Sequence, residues 1–194
     1  METVVEKGRY TYEDYIKASE EGMFLTPPKR YELIEGELLM APSPVTAHQR
    51  ILIKLLSEIF NFITQNSLGE VFTSPYDVVL DEYNVLQPDI IFVSKERAEI
   101  ITEKNIKGAP DLVVEIISES TAYRDTIQKK RLYARFGIKE YWIVAPDDKL
   151  VEVYVLKDKE DAYSLVKIYL EDHVLESTVL KGLKIDLKKI FQHL

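Results

Sequence analysis

Two acidic residues lie in or beside apolar, strand-like segments, where a charge is unusual. Asp89 directly precedes the apolar run 90–93, and Glu115 lies within the run 113–117. A carboxylate is costly to bury without a partner, so such a residue usually binds a metal ion, pairs with a cation or transfers a proton. If the two strands are neighbours, about 4.8 Å apart, both carboxylates can contact one small cation.

A second proline-aspartate pair offers an alternative partner for Glu115. Asp111 follows Pro110 and lies four residues before Glu115, so the two acids share one face of a strand. At about 3.3 Å per residue they are roughly 13 Å apart, which is too far for one small cation to bridge. We therefore assign Asp111 to the start of the strand and Asp89 to the candidate site.

The composition limits which metal such a site can hold. The chain has no cysteine, and its three histidines are scattered at positions 48, 173 and 193. Thiolate zinc sites, disulfides and cysteine nucleophiles are therefore excluded, and a histidine-rich metal site is disfavoured. Because oxygen ligands suit hard cations, the sequence predicts Mg²⁺ or Mn²⁺.

Length and hydropathy predict a single domain over residues 1–194. The 194 residues are 46% hydrophobic, which is enough for a sizeable core. No apolar stretch is long enough to span a membrane, and the N-terminus lacks the apolar segment of a signal peptide. The sequence therefore predicts a cytoplasmic protein with no membrane association.

Positive charge is concentrated in one segment of an acidic chain. The net charge of −8 argues against a general nucleic-acid coat protein, because phosphate binding depends on lysine and arginine. Residues 124–139 nevertheless hold six cations and one acid, soon after the strand that contains Glu115. The cations are Arg124, Lys129, Lys130, Arg131, Arg135 and Lys139. The cluster is compatible with a phosphate-binding surface and equally with the solvated face of a helix.

The apolar patterns predict a mixture of helices and strands. Expected helices cover 11–19, 45–65, 121–136 and 186–192, with a short helical segment at 95–100. Expected strands cover 31–34, 37–40, 70–73, 76–81, 89–93, 111–117, 140–144, 150–156 and 162–170. Thr11 is the expected N-cap of the first helix, which Gly22 and prolines 27 and 28 should end, and Gly137 should end the third. The order predicts an α/β fold with helices flanking a mixed central β-sheet and added β-hairpins.

The long helix at 45–65 is predicted by a wide apolar stripe. Its members recur at intervals of three and four residues, which places them on one helix face. They are Ile51, Leu52, Leu55, Leu56, Ile59, Phe60 and Ile63.

Two carboxylates on adjacent strands and one lysine form a minimal set for metal-dependent hydrolysis of a phosphodiester bond. In this respect the chain resembles the PD-(D/E)XK nuclease superfamily, in which an Asp on one strand meets an acid and, two residues later, a lysine on the next. Here Ile117 occupies the position of that lysine. Some branches of the superfamily supply the lysine from the following helix, and the resemblance implies Lys129. A spacing of four places Lys129 on one helix face with Asp125 and Tyr133.

More specifically, residues 31–146 resemble the Uma-type restriction endonuclease family of bacteria. The matching segments are YELIEGE at 31–37, PSP at 42–44 with His48, QPD at 87–89, PDLVVEI at 110–116 with Ser118, RD at 124–125 with Lys129 and Tyr133, and EYWIV at 140–144. The resemblance implies a restriction endonuclease-like fold and a metal-dependent endonuclease that acts on DNA.

The same resemblance implies a set of site residues. The expected catalytic residues are Asp89, Glu115, Lys129 and Glu32, with His48 and Tyr133 nearby. The expected metal ligands are Asp89, Glu115 and the carbonyl of Ile116. The expected nucleic-acid-binding residues are Arg124, Lys130, Arg131 and Arg135. In this scheme Lys129 orients or polarises the attacking water.

Two other classes of function are also compatible with the sequence. The acidic net charge and the displaced lysine fit a nuclease-fold protein that binds nucleic acid or a protein partner without cutting it. In a purely structural scaffold, by contrast, Asp89 and Glu115 would lie apart or pair with arginine. The strands after Asp147 offer exposed edges that can pair with a second copy, which predicts a homodimer.

Overall fold

The computed structural model describes residues 8–23, 30–118, 121–157 and 160–192, and it confirms the predicted mixed α/β architecture. The helices are α1 (Tyr12–Met23), α2 (Thr46–Asn66), α3 (Lys130–Arg135) and α4 (Leu187–Phe191), with a 3₁₀ helix at Lys95–Ile100 and a π-helix at Arg124–Lys129. The strands are β1 (Arg30–Ile34), β2 (Glu37–Ala41), β3 (Gly69–Thr73), β4 (Val78–Asp81), β5 (Asn84–Leu86), β6 (Ile90–Ser94), β7 (Ile106–Lys107), β8 (Leu112–Ile116), β9 (Glu140–Ala145), β10 (Leu150–Val155), β11 (Ser164–Leu170), β12 (Val174–Glu176) and β13 (Lys184–Asp186). Within the described residues, none of the helices combines the length and apolarity needed to cross a membrane.

A six-stranded sheet in the order β11-β10-β9-β8-β6-β3 lies at the centre of the described part of the chain. Strands β8 and β9 are parallel, whereas the other neighbouring pairs are antiparallel. Helices α2 and α4 pack on one face, and α3 covers the other through Leu132 and Tyr133. Because both faces are covered, the middle strands are almost wholly apolar, and an acid such as Glu115 is buried when it occurs there.

A second sheet, in the order β2-β1-β5-β4-β7, carries the predicted hairpin. Strands β1 and β2 pair from Arg30↔Ala41 to Ile34↔Glu37. The turn residues Glu35 and Gly36 both have positive φ, 52° and 83°, as a two-residue hairpin turn with the twist of the flanking strands requires. The structure therefore confirms the hairpin, and β1 extends from it towards the end of the central sheet that carries Asp89.

Helix α2 agrees closely with the predicted long helix. Its buried residues are Ile51, Leu52, Leu55, Ile59 and Ile63. Phe60 belongs to the apolar stripe in the sequence, but it does not lie in the core, because 54% of it is exposed. The buried stripe is thus narrower than the apolar pattern in the sequence, and Phe60 lies beside it on the solvent side.

Helix α1 begins where predicted but ends later. The Thr11 amide and hydroxyl lie 3.0 and 3.1 Å from Asp14 Oδ2, which stabilises the helix start. The prediction that Gly22 ends this helix is wrong, since the helix continues to Met23. A glycine costs only about 1 kcal/mol within a helix, and burial of Tyr15 against β1 and β5 favours its continuation. Residues 27 and 28 lie outside the described residues.

Candidate active site

Antiparallel pairing of β6 with β8 places Asp89 and Glu115 next to each other. Ile90 is paired with Val114, so the next residues outward are Asp89 on one strand and Glu115 on the other. Asp89 Oδ2 accepts a hydrogen bond from the backbone N–H of Ile116 at 2.7 Å, which fixes the aspartate against the end of β8. The structure thus brings together the two carboxylates that the sequence had placed on neighbouring strands.

The helix after β8 supplies a cation directly to Glu115. Lys129 Nζ lies 3.0 Å from Glu115 Oε1, and the hydroxyl of Tyr133 donates to the same oxygen at 2.8 Å. Ile117, at the position where a lysine would be expected on the strand, is a partly buried residue that lines the same cavity. The lysine that contacts Glu115 therefore comes from the helix, and its role in catalysis stays a prediction.

Lys129 is also held by two further carboxylates. Its Nζ lies 2.9 Å from Glu32 Oε1 and 3.3 Å from Asp125 Oδ1. Glu32 comes from β1, and Arg124 NH1 lies 3.5 Å from its second oxygen. The predicted further acid, Glu32, therefore contacts the lysine and lies at the bottom of the site.

The helical segment that carries Lys129 departs from the regular α-helix predicted for 121–136. Residues Arg124–Lys129 form a π-helix that runs into α3. Asp125 and Lys129, four residues apart, lie on one side of this segment, and both side chains are buried towards Glu115. Short π segments frequently occur at functional sites because they redirect side chains. Gly137, with φ of 82°, ends this helix as predicted.

Burial and mutual repulsion shape the protonation of these groups. Burial raises the pKa of Glu115 well above its usual range, an effect that Lys129 opposes and that the charges of Asp125 and Asp89 reinforce. Burial disfavours the charged form of Lys129, but Glu115, Glu32 and Asp125 outweigh this and raise its pKa well above 10.5. Lys129 is therefore a permanent ammonium that can donate hydrogen bonds but cannot act as a general base.

These residues line a cavity of about 640 Å³ between the two sheets and the start of α2. Glu32, Asp89, Glu115 and Lys129 all reach it. Its outer wall is the exposed loop 42–45, which connects β2 to α2. The carboxylate cluster is thus accessible to a molecule from solvent.

His48 lies at the start of α2 beside Asp89. Its Nε2 is 3.0 Å from Asp89 Oδ2, and its Nδ1 is buried without a hydrogen-bond partner among the described residues. Asp89 is therefore held from two sides, by His48 and by the backbone of Ile116. The structure places His48 near the site, as the resemblance implied.

The four cations predicted to bind nucleic acid lie in different surroundings. Arg124 lines the cavity. Lys130 lies over the ring of Tyr154, with Nζ 4.5 Å from the ring centroid. Arg131 and Arg135 pair with Glu35 of the hairpin turn, at 2.8 and 3.2 Å, and are largely exposed. Nucleic-acid binding by these four residues stays a prediction.

Two other buried acids have no oxygen left for a ligand and serve the fold. Asp111 accepts from Lys139 at 2.6 Å and from the Ser94 amide at 2.8 Å, at the start of β8 as the sequence suggested. Glu140 accepts from the Trp142 indole, the Ser177 and Thr178 hydroxyls and the Thr178 and Val179 amides. By contrast, Asp89 Oδ1 and Glu115 Oε2 have no hydrogen bond to any described residue.

The arrangement fits a divalent cation held partly by the substrate. Asp89 and Glu115 each keep one carboxylate oxygen without a hydrogen bond from the described residues. Mg²⁺ typically uses one or two carboxylates together with waters and phosphate oxygens. The carboxylates of Glu32, Glu115 and Asp125 are paired with two permanent cations, Lys129 and Arg124, so this group carries excess negative charge when all three are ionised. In the described part of the chain, no group of three or more histidine, aspartate or glutamate side chains is arranged to hold a metal ion.

Among the cavity-lining residues that were not predicted, Gln87 and Arg30 make notable contacts. Gln87 donates its amide N–H to Glu32 Oε1 at 3.1 Å, and its side chain donates to Asp77 at 2.9 Å and to the Tyr15 hydroxyl at 3.1 Å. Arg30 also lines the cavity. Arg30 could have been predicted from the strand that contains Glu32. Residues 30 and 32 of one strand share a face, so both side chains point to the same side.

Comparison with known proteins points to one family. A family model, Uma2, described as "Putative restriction endonuclease", matches residues 12–188. The chain is also similar to a solved structure titled a "putative nuclease belonging to DUF820" from Anabaena variabilis, with a TM-score of 0.69, 20% identity, and coverage of 84% of this chain and 89% of that chain. At that identity the likeness concerns the fold. The chain matches no curated protein.

Proposed function

The chain belongs to the Uma2 family, and from this premise we propose that it is a metal-dependent endonuclease that hydrolyses phosphodiester bonds in DNA. The observation that carries the proposal is the contact of Lys129 Nζ with Glu115 Oε1, beside Asp89, on the wall of an open cavity. Two acids and an ammonium in this arrangement suit a reaction in which negative charge develops on phosphate oxygens.

Asp89 and Glu115 are the side chains that would hold Mg²⁺ or Mn²⁺, with the Ile116 carbonyl as a further oxygen ligand. When bound, such an ion supplies positive charge to offset the phosphate and makes a nearby water more acidic. The backbone N–H of Ile116 and His48 orient Asp89, since both contact the same oxygen, Oδ2. This leaves Oδ1 directed away from both partners and available for coordination.

Lys129 provides a fixed positive charge and hydrogen-bond donors for the reaction. Because it stays protonated, it positions the attacking water or stabilises a phosphate oxygen, and it does not remove the proton itself. Water adds to phosphorus, the bond from phosphorus to the leaving oxygen breaks, and the proton lost by the water is balanced by one taken up by the leaving oxygen. Glu32 and Asp125 keep the ammonium in place through contacts of 2.9 and 3.3 Å.

Tyr133 and Glu32 act as positioning residues in this scheme. The Tyr133 hydroxyl donates to Glu115 Oε1, the oxygen that Lys129 also contacts. This sharing orients the glutamate so that its other oxygen, Oε2, remains without a protein donor among the described residues. Replacement of Tyr133 by Phe should therefore loosen Glu115 without removing a charge.

We extend the proposal to a homodimer in the cytoplasm. Strand β11 lies at one end of the central sheet, and its Leu165, Val166, Ile168 and Leu170 are all more than 40% exposed. An apolar edge strand of this kind supports pairing with a second copy. A light-scattering mass of one chain at micromolar concentration would contradict the dimer and leave the proposed chemistry unaffected.

The proposal is tested by incubating the protein with end-labelled single-stranded DNA, duplex DNA and RNA in the presence of Mn²⁺ or Mg²⁺. We expect cleavage of at least the DNA by the native protein and none by Asp89→Asn or Glu115→Gln. Asp148→Asn, in an exposed turn, is the matched control and should cleave like the native protein. Binding of DNA without cleavage in any divalent cation would instead favour the non-catalytic nuclease-fold alternative.

A further inference from the structure

Arg30 differs from the other cations that line the cavity. Lys129 contacts three carboxylates, and Arg124 lies 3.5 Å from Glu32. His48 lies against Asp89. Arg30, by contrast, has no carboxylate partner among the described residues. Within the described part of the chain, it is the cavity-lining guanidinium that has no carboxylate within ion-pair distance.

The contacts of Arg30 hold it in position without neutralising it. NH1 donates to the Ser74 hydroxyl at 3.2 Å, and NH2 lies 3.4 Å from the carbonyl oxygen of Pro42. Both acceptors are uncharged. A guanidinium has five N–H donors in a planar fork, so several remain to bind an anion. Because the side chain is already oriented, little conformational entropy is lost when an anion binds.

The backbone of β1 places Arg30 at a defined distance from the reacting groups. Arg30 and Glu32 are two residues apart on one strand and therefore share a face, about 7 Å apart along it. Glu32 contacts Lys129 at the bottom of the cavity. Arg30 is held instead by the exposed loop 42–45 through Pro42, on the solvent side of Glu32.

We propose that Arg30 binds a second phosphate group of the nucleic-acid strand, next to the phosphate at which cleavage occurs. This inference rests on the proposed function, because it takes the substrate to be a polynucleotide. Its chemical basis is that a planar guanidinium without a counter-charge is the preferred protein group for bidentate recognition of phosphate. Arg30 is thus a substrate-positioning residue, and the cavity selects substrates that have more than one phosphate.

Binding in the absence of cleavage separates this inference from the catalytic proposal. The probe is a fluorescein-labelled single-stranded DNA 12-mer, titrated with protein in EDTA and followed by fluorescence anisotropy at several salt concentrations. We expect Arg30→Gln to weaken binding about tenfold and to reduce the slope of log affinity against log salt by about 0.7, the value for one lost phosphate contact with a single strand. Arg9→Gln, an exposed arginine outside the cavity, is the matched control and should change neither quantity.

Two further measurements distinguish phosphate binding from a structural effect. Arg30→Lys keeps the charge, so it should retain the native salt slope even where it loses affinity, and it carries the test if Arg30→Gln does not fold. In cleavage assays with Mn²⁺, Arg30→Gln should raise KM for the 12-mer while kcat stays within about twofold. A dinucleotide with a single phosphate should be processed equally by Arg30→Gln and the native protein.

An unchanged affinity and salt slope in folded Arg30→Gln would overturn the assignment of Arg30 while native cleavage of the 12-mer still supported the nuclease. A folded native protein that bound neither the 12-mer nor the corresponding duplex and RNA would overturn both. Binding and cleavage of the 12-mer by the native protein therefore show whether only the role of Arg30 has failed or the nuclease proposal as well.

Discussion

Lys129 Nζ lies 3.0 Å from Glu115 Oε1, although the lysine follows the glutamate by fourteen residues and comes from a helix. A lysine two residues after Glu115 would extend from the same strand face, but Ile117 stands there. The π-helical turn at Arg124–Lys129 directs the lysine back towards the strand. The ammonium next to Glu115 is thus supplied by the helix and not by the strand that carries the glutamate.

Removal of Lys129 should abolish cleavage and leave metal binding. We expect Lys129→Met to lower the cleavage rate by about 100-fold or more, because Lys129 is the permanent cation that contacts Glu115 among the described residues. The variant leaves buried carboxylates unpaired and should unfold more easily by about 3 kcal/mol, as measured by urea denaturation. Lys184→Met is the matched control, because Lys184 is a largely exposed lysine of β13 outside the cavity, and it should retain activity. Normal cleavage by a folded Lys129→Met would contradict the role of the lysine.

A lysine restored at the strand position should rescue that variant. Ile117 lines the cavity and is only partly buried, so a longer polar side chain can be accommodated there. We expect the double variant Ile117→Lys, Lys129→Met to cleave at least about tenfold faster than Lys129→Met alone. The reason is that an ammonium near Glu115 again stabilises the developing phosphate charge. Ile117→Gln in the same background should give no recovery. Equal rates for the two double variants would show that charge at this position is not what the reaction needs.

Glu32 should affect the reaction through Lys129. Glu32→Gln removes one of the three carboxylates around the ammonium and weakens the acceptor for the Gln87 amide. We expect cleavage to fall by up to about 100-fold, the cost of displacing a catalytic group by about 1 Å. Glu37→Gln, an exposed residue of the same hairpin, is the control and should behave like the native protein. The measurement is the initial cleavage rate under saturating substrate.

Asp111 should contribute to stability with a predictable dependence on pH. Burial alone would raise its pKa, but hydrogen bonds from Lys139 and Ser94 lower the pKa below the ordinary value of 3.8. A carboxyl group with a lowered folded-state pKa stabilises the fold above its unfolded pKa and loses this contribution as the pH falls through the folded value. Asp111→Asn should therefore be less stable than the native protein by about 2 kcal/mol at pH 7, and the difference should shrink below about pH 4. Denaturation curves at both pH values provide the check, and a difference that grew towards low pH would contradict this assignment.

Much of the fold was accessible from the sequence because its elements have strong local signals. The stripe of α2, the tight turn at Glu35-Gly36 and the apolar runs of β6, β8 and β9 are all patterns of periodicity or turn chemistry. The short strands β5, β7, β12 and β13 were not predicted. They have two or three residues each, so no period is visible, and they form only because longer strands or loops lie beside them.

The candidate site was predictable in part for the same reason. Asp89 and Glu115 are recognisable in the sequence as acids in or beside apolar strands, whereas an arginine at 30 and a glutamine at 87 have no such contrast of charge with burial to mark them. Their role depends on the second sheet, whose packing brings β1 and the end of β5 to the cavity. Likewise, the π-helical turn that carries Asp125 and Lys129 has no sequence signal comparable to an apolar stripe.

The most direct test of the two-carboxylate metal site is isothermal titration calorimetry with Mn²⁺ on the native protein, Asp89→Asn and Glu115→Gln, with Asp148→Asn as the exposed control. We expect the native protein and the control to bind Mn²⁺ with the same affinity. Both site variants should lose Mn²⁺ binding, while their circular dichroism spectra stay like that of the native protein. A second titration in the presence of the 12-mer tests whether the metal site forms only when a substrate phosphate supplies some of the ligands. Native-like Mn²⁺ binding by folded Asp89→Asn and Glu115→Gln under both conditions would contradict the central claim that these two residues hold the metal.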